Sequence, residues 1–122
     1  GKILIAPGDH HLQVIKSGKH YQVNLDREGE KVCGHRPSVD VLFSSVAKAA
    51  GDKAIGIILT GMGYDGAKGL LAMKRKGART IGQDQQTSVV YGMPKVAFEL
   101  GAVEKQVPLQ QIPRTLLSML GR

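Results

Sequence analysis

The chain alternates short apolar runs with glycine-rich or polar breaks, and the period of each run predicts its element. Lys2-Ile3-Leu4-Ile5-Ala6 is apolar and runs straight into Pro7-Gly8, which reads as a buried strand delivered into a turn. A domain seldom starts in mid-strand, so this opening predicts further sequence upstream. Leu12 to Lys16 and Tyr21 to Leu25 flank Ser17-Gly18-Lys19, the pattern of a hairpin with glycine in its short loop. Asp26 to Pro37 is polar and glycine-containing, hence a loop. Ser38 then stands at an N-cap position before Val39, Leu42, Phe43 and Val46, whose spacing predicts an amphipathic helix ending near Gly51.

Ala54 to Thr60 is nearly continuous in apolar residues, as expected of a parallel strand covered on both faces. The loop Gly61 to Gly66 follows. Ala67 to Lys76 reads as a helix stopped by Gly77, Ala78 to Gly82 as a strand, and Pro94 to Leu100 as a helix with Gly101 at its C′ position. Ala102-Val103 and Gln106-Val107 suggest a short extended segment, and Ile112 to Leu120 a last helix with Leu116, Leu117 and Leu120 on one side. The alternation predicts a doubly wound, mainly parallel α/β fold. The N-terminal hairpin would be an antiparallel extension of that sheet or a lobe beside it, and the fold would be incomplete without an upstream half.

Composition narrows the picture. At 122 residues and 42% hydrophobic content the chain can bury one modest core, so residues 1–122 are read as a single domain or a piece of one. The formal charge of +7 and pI of about 9.8 favour encounter with acidic partners. The basic residues are scattered, however, and 4% aromatics with no Trp supply no stacking platform, so nucleic acid is not expected as a ligand. The single cysteine, Cys33, allows no internal disulfide and has no zinc or redox companion, which suits a cytoplasmic location. No apolar run approaches the roughly 20 residues that span a bilayer.

In open α/β sheets the functional crevice lies beyond the carboxyl ends of the strands, which directs the search to Pro7 to His11, Gly61 to Gly66 and Gln83 to Met93. In the second loop three glycines surround Asp65, with backbone amides free to face an anion. Those amides suit a phosphate at a helix N-terminus, or an oxyanion while Asp65 orients a histidine. The spacing Gly61-x-Gly63-x-x-Gly66 fits a dinucleotide fingerprint, but Asp65 would repel a phosphate in that cradle. Asp65 reads equally as a simple cap of the following helix. Asp9-His10-His11 lacks the spacing of a metal motif, and no metal or cofactor is expected. Ser17, Ser38, Ser44, Ser45, Ser88 and Ser118 fit turns, caps and helices, and none sits in a nucleophile-elbow sequence.

Four ordered segments carry a family resemblance: Ala6 to His11, Arg36 to Phe43, Ile58 to Ala67, and Gln83-Asp84 with Thr87 to Pro94. Together they closely resemble the chemotaxis protein-glutamate methylesterases of the CheB type, over essentially the whole chain. The resemblance implies hydrolysis of glutamate γ-methyl esters, and deamidation of glutamines, on the cytoplasmic helices of methylated chemoreceptors by a Ser-His-Asp triad. It implies Asp65 as the triad acid, the backbone N–H of Met62 as an oxyanion donor, and His10, Tyr91 and Met93 as residues of the cleft. The family's serine and histidine motifs are absent from this chain, which therefore reads as the C-terminal portion of a methylesterase catalytic domain, without a receiver domain. Alone it is expected to be inactive, to need the upstream half of its own domain as partner, and to self-associate through exposed strand edges. A non-catalytic α/β module binding a phosphate ligand or acidic receptor helices is the alternative.

Overall fold

Ser17-Gly18-Lys19 makes the first tight turn. In the structure, a computed structural model that describes residues 1–121, β1 (His11–Ser17) and β2 (His20–Asp26) pair antiparallel from His11 opposite Asp26 to Ser17 opposite His20. Gly18 and Lys19 alone close the hairpin, and Gly18 takes φ 60°, the left-handed value that a two-residue loop asks of glycine. The hairpin forms its own two-stranded sheet, so it is a lobe beside the main sheet. It rests on α1 (Val39–Ala50), whose Ser45 Oγ accepts from the Val14 amide at 2.9 Å.

The main sheet holds β3 (Ile55–Ile58), β4 (Arg79–Gln83) and β5 (Lys105–Val107) in parallel, in the order β3-β4-β5. Alternate side chains point to opposite faces. Ile55, Ile57, Ile81 and Val107 pack against Ile112, Leu116 and Met119 of α4 (Ile112–Leu120). The other face, with Ile58, is covered by α2 (Ala67–Arg75) through Leu70 and Met73, by Ala47 of α1 and by Ala97 of α3 (Met93–Glu99). A Cβ on Gly56 would stand 2.5 Å from Leu70 Cδ1, so this glycine is what lets α2 lie so close to β3. Helices on both faces of a parallel sheet are the doubly wound α/β arrangement that the sequence predicts.

Three expectations need correction. Lys2 to Ala6 joins no sheet among the described residues, and Ile3 and Ile5 are 92% and 86% exposed; an apolar run supplies a strand's pattern but not its neighbour. β3 ends at Ile58, and Leu59 is already exposed, so the run to Thr60 is not covered throughout. In α4 the row that meets the sheet is Ile112, Leu116 and Met119, at i, i+4, i+7, and it leaves Leu117 and Leu120 exposed.

Candidate active site

The β3–α2 loop is shaped by where its glycines sit. Gly63 and Gly66 take φ of 94° and 98°, and a Cβ on Gly66 would lie 2.9 Å from Val39 Cγ1. The loop is thereby pressed against the first residue of α1, and Asp65, only 4% exposed, is carried onto that helix's N-terminus.

What Asp65 does there follows from the helix itself. The start of an α-helix leaves four amides without an intrahelical acceptor. In α1 each of the four finds one: Ser38 N–H on His11 Nδ1 at 3.2 Å, Val39 N–H on Asp65 Oδ2 at 2.7 Å, Asp40 N–H on Asp65 Oδ1 at 2.9 Å, and Val41 N–H on Ser38 Oγ at 3.4 Å. The Ser38 hydroxyl in turn donates to Asp65 Oδ1 at 2.8 Å. Asp65 thus caps a helix, but α1 rather than the one that follows it in sequence. Oδ1 accepts two protons and Oδ2 one, so one lone pair on Oδ2 is left for a further donor. The carboxylate already occupies the anion position at the α1 N-terminus, so that helix end is closed to a phosphate.

The second strand-end loop is fastened to the first. Buried Gln83, at the end of β4, accepts from Thr60 N–H at 2.7 Å and donates to the Thr87 carbonyl at 2.9 Å. Thr60 Oγ1 accepts from Val90 N–H and donates to the Val90 carbonyl. Gly61 N–H donates to that same carbonyl, and the Gly61 carbonyl accepts from Gly92 N–H and, at 2.8 Å, from Met93 N–H. With Gly61 anchored on both sides, the next residue, Met62, stands out and is 80% exposed. Among the described residues its amide donates to nothing.

The cleft residues expected from the sequence fall in different places. Tyr91 bridges in parallel to Gly61 and its hydroxyl accepts from Gln106 Nε2 at 2.6 Å. Met93 is half-buried, and its sulfur lies where a Gly61 side chain would be, so it supports the loop from below. His10 Nδ1 bonds the carbonyl of nearby Gly8. It is the adjacent His11, 2% exposed, that reaches the helix cap. His11 is the first residue of β1 and faces inward, whereas His10 precedes the strand; nothing in the spacing said which of the two would turn in.

Asp40 extends the cluster. Its Oδ1 accepts from Gly69 N–H at 2.8 Å, tying α1 to α2, and Oδ2 faces the Cys33 thiol at 3.9 Å. Burial pushes the Cys33 thiol above its ordinary pKa, and the carboxylates of Asp40 and Asp65 push in the same direction. Cys33, Asp40 and Asp65 lie within metal-ligand distance of one another. Asp65 Oδ1 and both Asp40 oxygens are nonetheless engaged by backbone, hydroxyl and thiol donors, and the thiol is held protonated, so the group fits a helix cap better than a cation.

Fold and site together define a parallel α/β domain whose strand-end loops carry a buried carboxylate at Asp65 and, at exposed Met62, an amide with no acceptor among the described residues. The chain belongs to the CheB methylesterase family, whose model matches residues 1–116. It is 58% identical over 122 residues to a protein-glutamate methylesterase/protein-glutamine glutaminase of Syntrophomonas wolfei, covering 100% of this chain and 36% of that protein. Its identity to a Caulobacter vibrioides relative of the same description is 55%, over 98% of this chain and 34% of that protein. The crystal structure of the Thermotoga maritima CheB methylesterase catalytic domain superimposes with a TM-score of 0.89 at 37% identity, covering 93% of this chain and 59% of that one. The chain spans about a third of the length of the curated relatives it matches.

Proposed function

We propose that this chain is the C-terminal, acid-bearing portion of the catalytic domain of a protein-glutamate methylesterase and glutaminase. Asp65 is its triad acid. The observation that carries this reading is the carboxylate's geometry: three donors from α1 hold it, and one lone pair on Oδ2 is left for an imidazole N–H. On this reading the serine nucleophile and the histidine come from the rest of the parent protein, this chain spanning 36% of the Syntrophomonas wolfei relative.

The chemistry then runs as acyl transfer. The histidine takes the serine proton as Oγ attacks the γ-carbonyl of a receptor glutamate methyl ester, and Asp65 fixes the imidazole tautomer and stabilises the imidazolium. The Met62 N–H donates to the oxyanion of the tetrahedral intermediate, a role its unengaged amide suits. As the tetrahedral intermediate collapses, the imidazolium gives its proton to the departing methoxide, released as methanol, or to the departing amide nitrogen of glutamine, released as ammonia, and water then hydrolyses the acyl-enzyme. The exposed Val89 and Val90, with Tyr91 beside Gly61, form the substrate side of the cleft. The substrate is the cytoplasmic helices of methylated chemoreceptors, toward whose acidic surface a charge of +7 would steer this chain. Among the described residues no helix is long and apolar enough to cross a membrane, which fits a cytoplasmic enzyme.

Methanol release from methylated receptor membranes tests the reading. Asp65→Asn in the complete enzyme is expected to lower turnover by about 10⁴-fold, and the isolated chain to release none. An unchanged rate in the variant removes Asp65 from the triad, and activity from the isolated chain sinks the claim that its nucleophile lies elsewhere.

A further inference from the structure

The residue that completes the cap of α1 comes from outside the strand-end loop that carries Asp65. Both ring nitrogens of His11 are engaged by backbone groups of fixed polarity. Nε2 lies 2.7 Å from the Glu30 carbonyl, which only accepts, and Nδ1 lies 3.2 Å from the Ser38 amide, which only donates. One tautomer satisfies both partners: neutral imidazole with its proton on Nε2 and Nδ1 bare. The ring is held in that pose by the 26–36 loop. A Cβ on Gly29 would stand 3.2 Å from His11 Cδ2, Asp26 Oδ1 accepts from the Gly29 and Glu28 amides, and Arg36 Nη1 donates to the Gly29 carbonyl.

Ser38 is the link onward. Its amide is fixed by His11 and its hydroxyl donates to Asp65, so the run Glu30 carbonyl, His11, Ser38, Asp65 is a continuous line of hydrogen bonds. Its end members are on one side a surface loop and on the other the carboxylate that presents a free lone pair. We propose that His11 is a positioning residue for the esterase reaction: through Ser38 it sets the direction in which Asp65 presents Oδ2 to the catalytic imidazole. This rests on the triad reading of Asp65. His11 touches no reacting atom.

Two substitutions separate positioning from mere packing, because each keeps one of the two bonds. His11→Asn places Oδ1 where Nδ1 stands and keeps the acceptor for Ser38; His11→Gln places Nε2–H near its counterpart and keeps the donor to Glu30. In the complete enzyme, with methanol release as the assay, His11→Gln is expected to lose about 10- to 100-fold in kcat at unchanged KM, while His11→Asn stays within a few-fold of wild type. Equal losses in the two variants, or no loss in either, overturns the proposal. Asp65→Asn runs alongside: if it leaves turnover intact, the triad reading has failed, whereas a loss there without a His11→Gln defect places the failure on His11 alone. A readout on the unmodified enzyme needs no variant to fold. Nitrogen-15 spectra of labelled histidine should show His11 with a bare Nδ1 and a protonated Nε2, and a coupling between Nδ1 and the Ser38 amide; the reverse tautomer overturns the proposal.

Discussion

Asp65 and Ser38 meet at the start of α1, with the serine hydroxyl donating to Asp65 Oδ1 at 2.8 Å while its oxygen accepts from Val41 N–H. The serine thus caps the helix and grips the carboxylate with the same atom. If Asp65 is the triad acid proposed above, one consequence is that it is oriented by the fold before any imidazole arrives, which is how preorganised electrostatics lower a barrier. Another is that the carboxylate is part of the fold's own hydrogen bonding, so its removal leaves the Val39 and Asp40 amides without their acceptor.

The two strand-end loops cross where no side chain fits. A Cβ on Gly92 would lie 2.7 Å from the Gly61 carbonyl and 3.0 Å from the Gly63 amide, although its φ of −103° is open to any residue. Gly92→Ala is therefore expected to destabilise by about 1–3 kcal/mol through overpacking and, on the oxyanion role proposed for the Met62 amide, to lower turnover of the complete enzyme. Gly8→Ala, with nothing within 4 Å of its Cβ, is the control and should stay within about 0.5 kcal/mol of wild type. Denaturant midpoints compare the two; equal stability would mean the loops do not meet as described.

Gln83 is the buried clamp between the same loops. Gln83→Leu keeps the bulk but strips the Thr60 amide and the Thr87 carbonyl of their partner. The expected cost is about 1–3 kcal/mol for the buried polar groups left unpaired. Hydrogen exchange at the Thr60 amide should quicken in the variant, and an unaltered rate would show that another acceptor takes over.

Cys33 gives a pH-dependent signature. Its folded pKa is raised, chiefly by burial and then by Asp40 and Asp65, so at mildly alkaline pH less thiolate is present than in an unfolded chain. Alkylation of the native protein should therefore rise with pH along a curve displaced upward from that of the denatured protein. The stability linked to this proton is complete below the ordinary thiol pKa and is lost as pH climbs through the folded value. Asp40→Asn should bring the alkylation curve back down, and coincident native and denatured curves would refute the shift.

Much of the fold was legible because its signals are local. Ser38 and Gly51 bracket α1 within the residues they cap, Gly18 marks its hairpin, and Gly77 and Gly101 stop their helices at positive φ. The misreadings share a cause. Burial of Lys2 to Ala6 depends on a neighbouring strand, and the choice of Met119 over Leu117 in α4 depends on where the sheet lies; neither is written in the segment itself. Asp65 stood out through the glycines around it and the matching motif. Its capping of a helix that precedes it, and the turning inward of His11 rather than His10, depend on the path of the polar 26–36 loop, which has no period to read.

Because four amides of α1 find their acceptors on His11, Asp65 and Ser38, the architecture carries a built-in gauge of its own readiness. Solvent deuterium enters the Val39 and Asp40 amides only when the β3–α2 loop lifts away from the helix. The rate at which those two protons are replaced therefore measures how often Asp65 leaves the helix cap. It does so without substrate, and in any fragment or assembly that contains this chain.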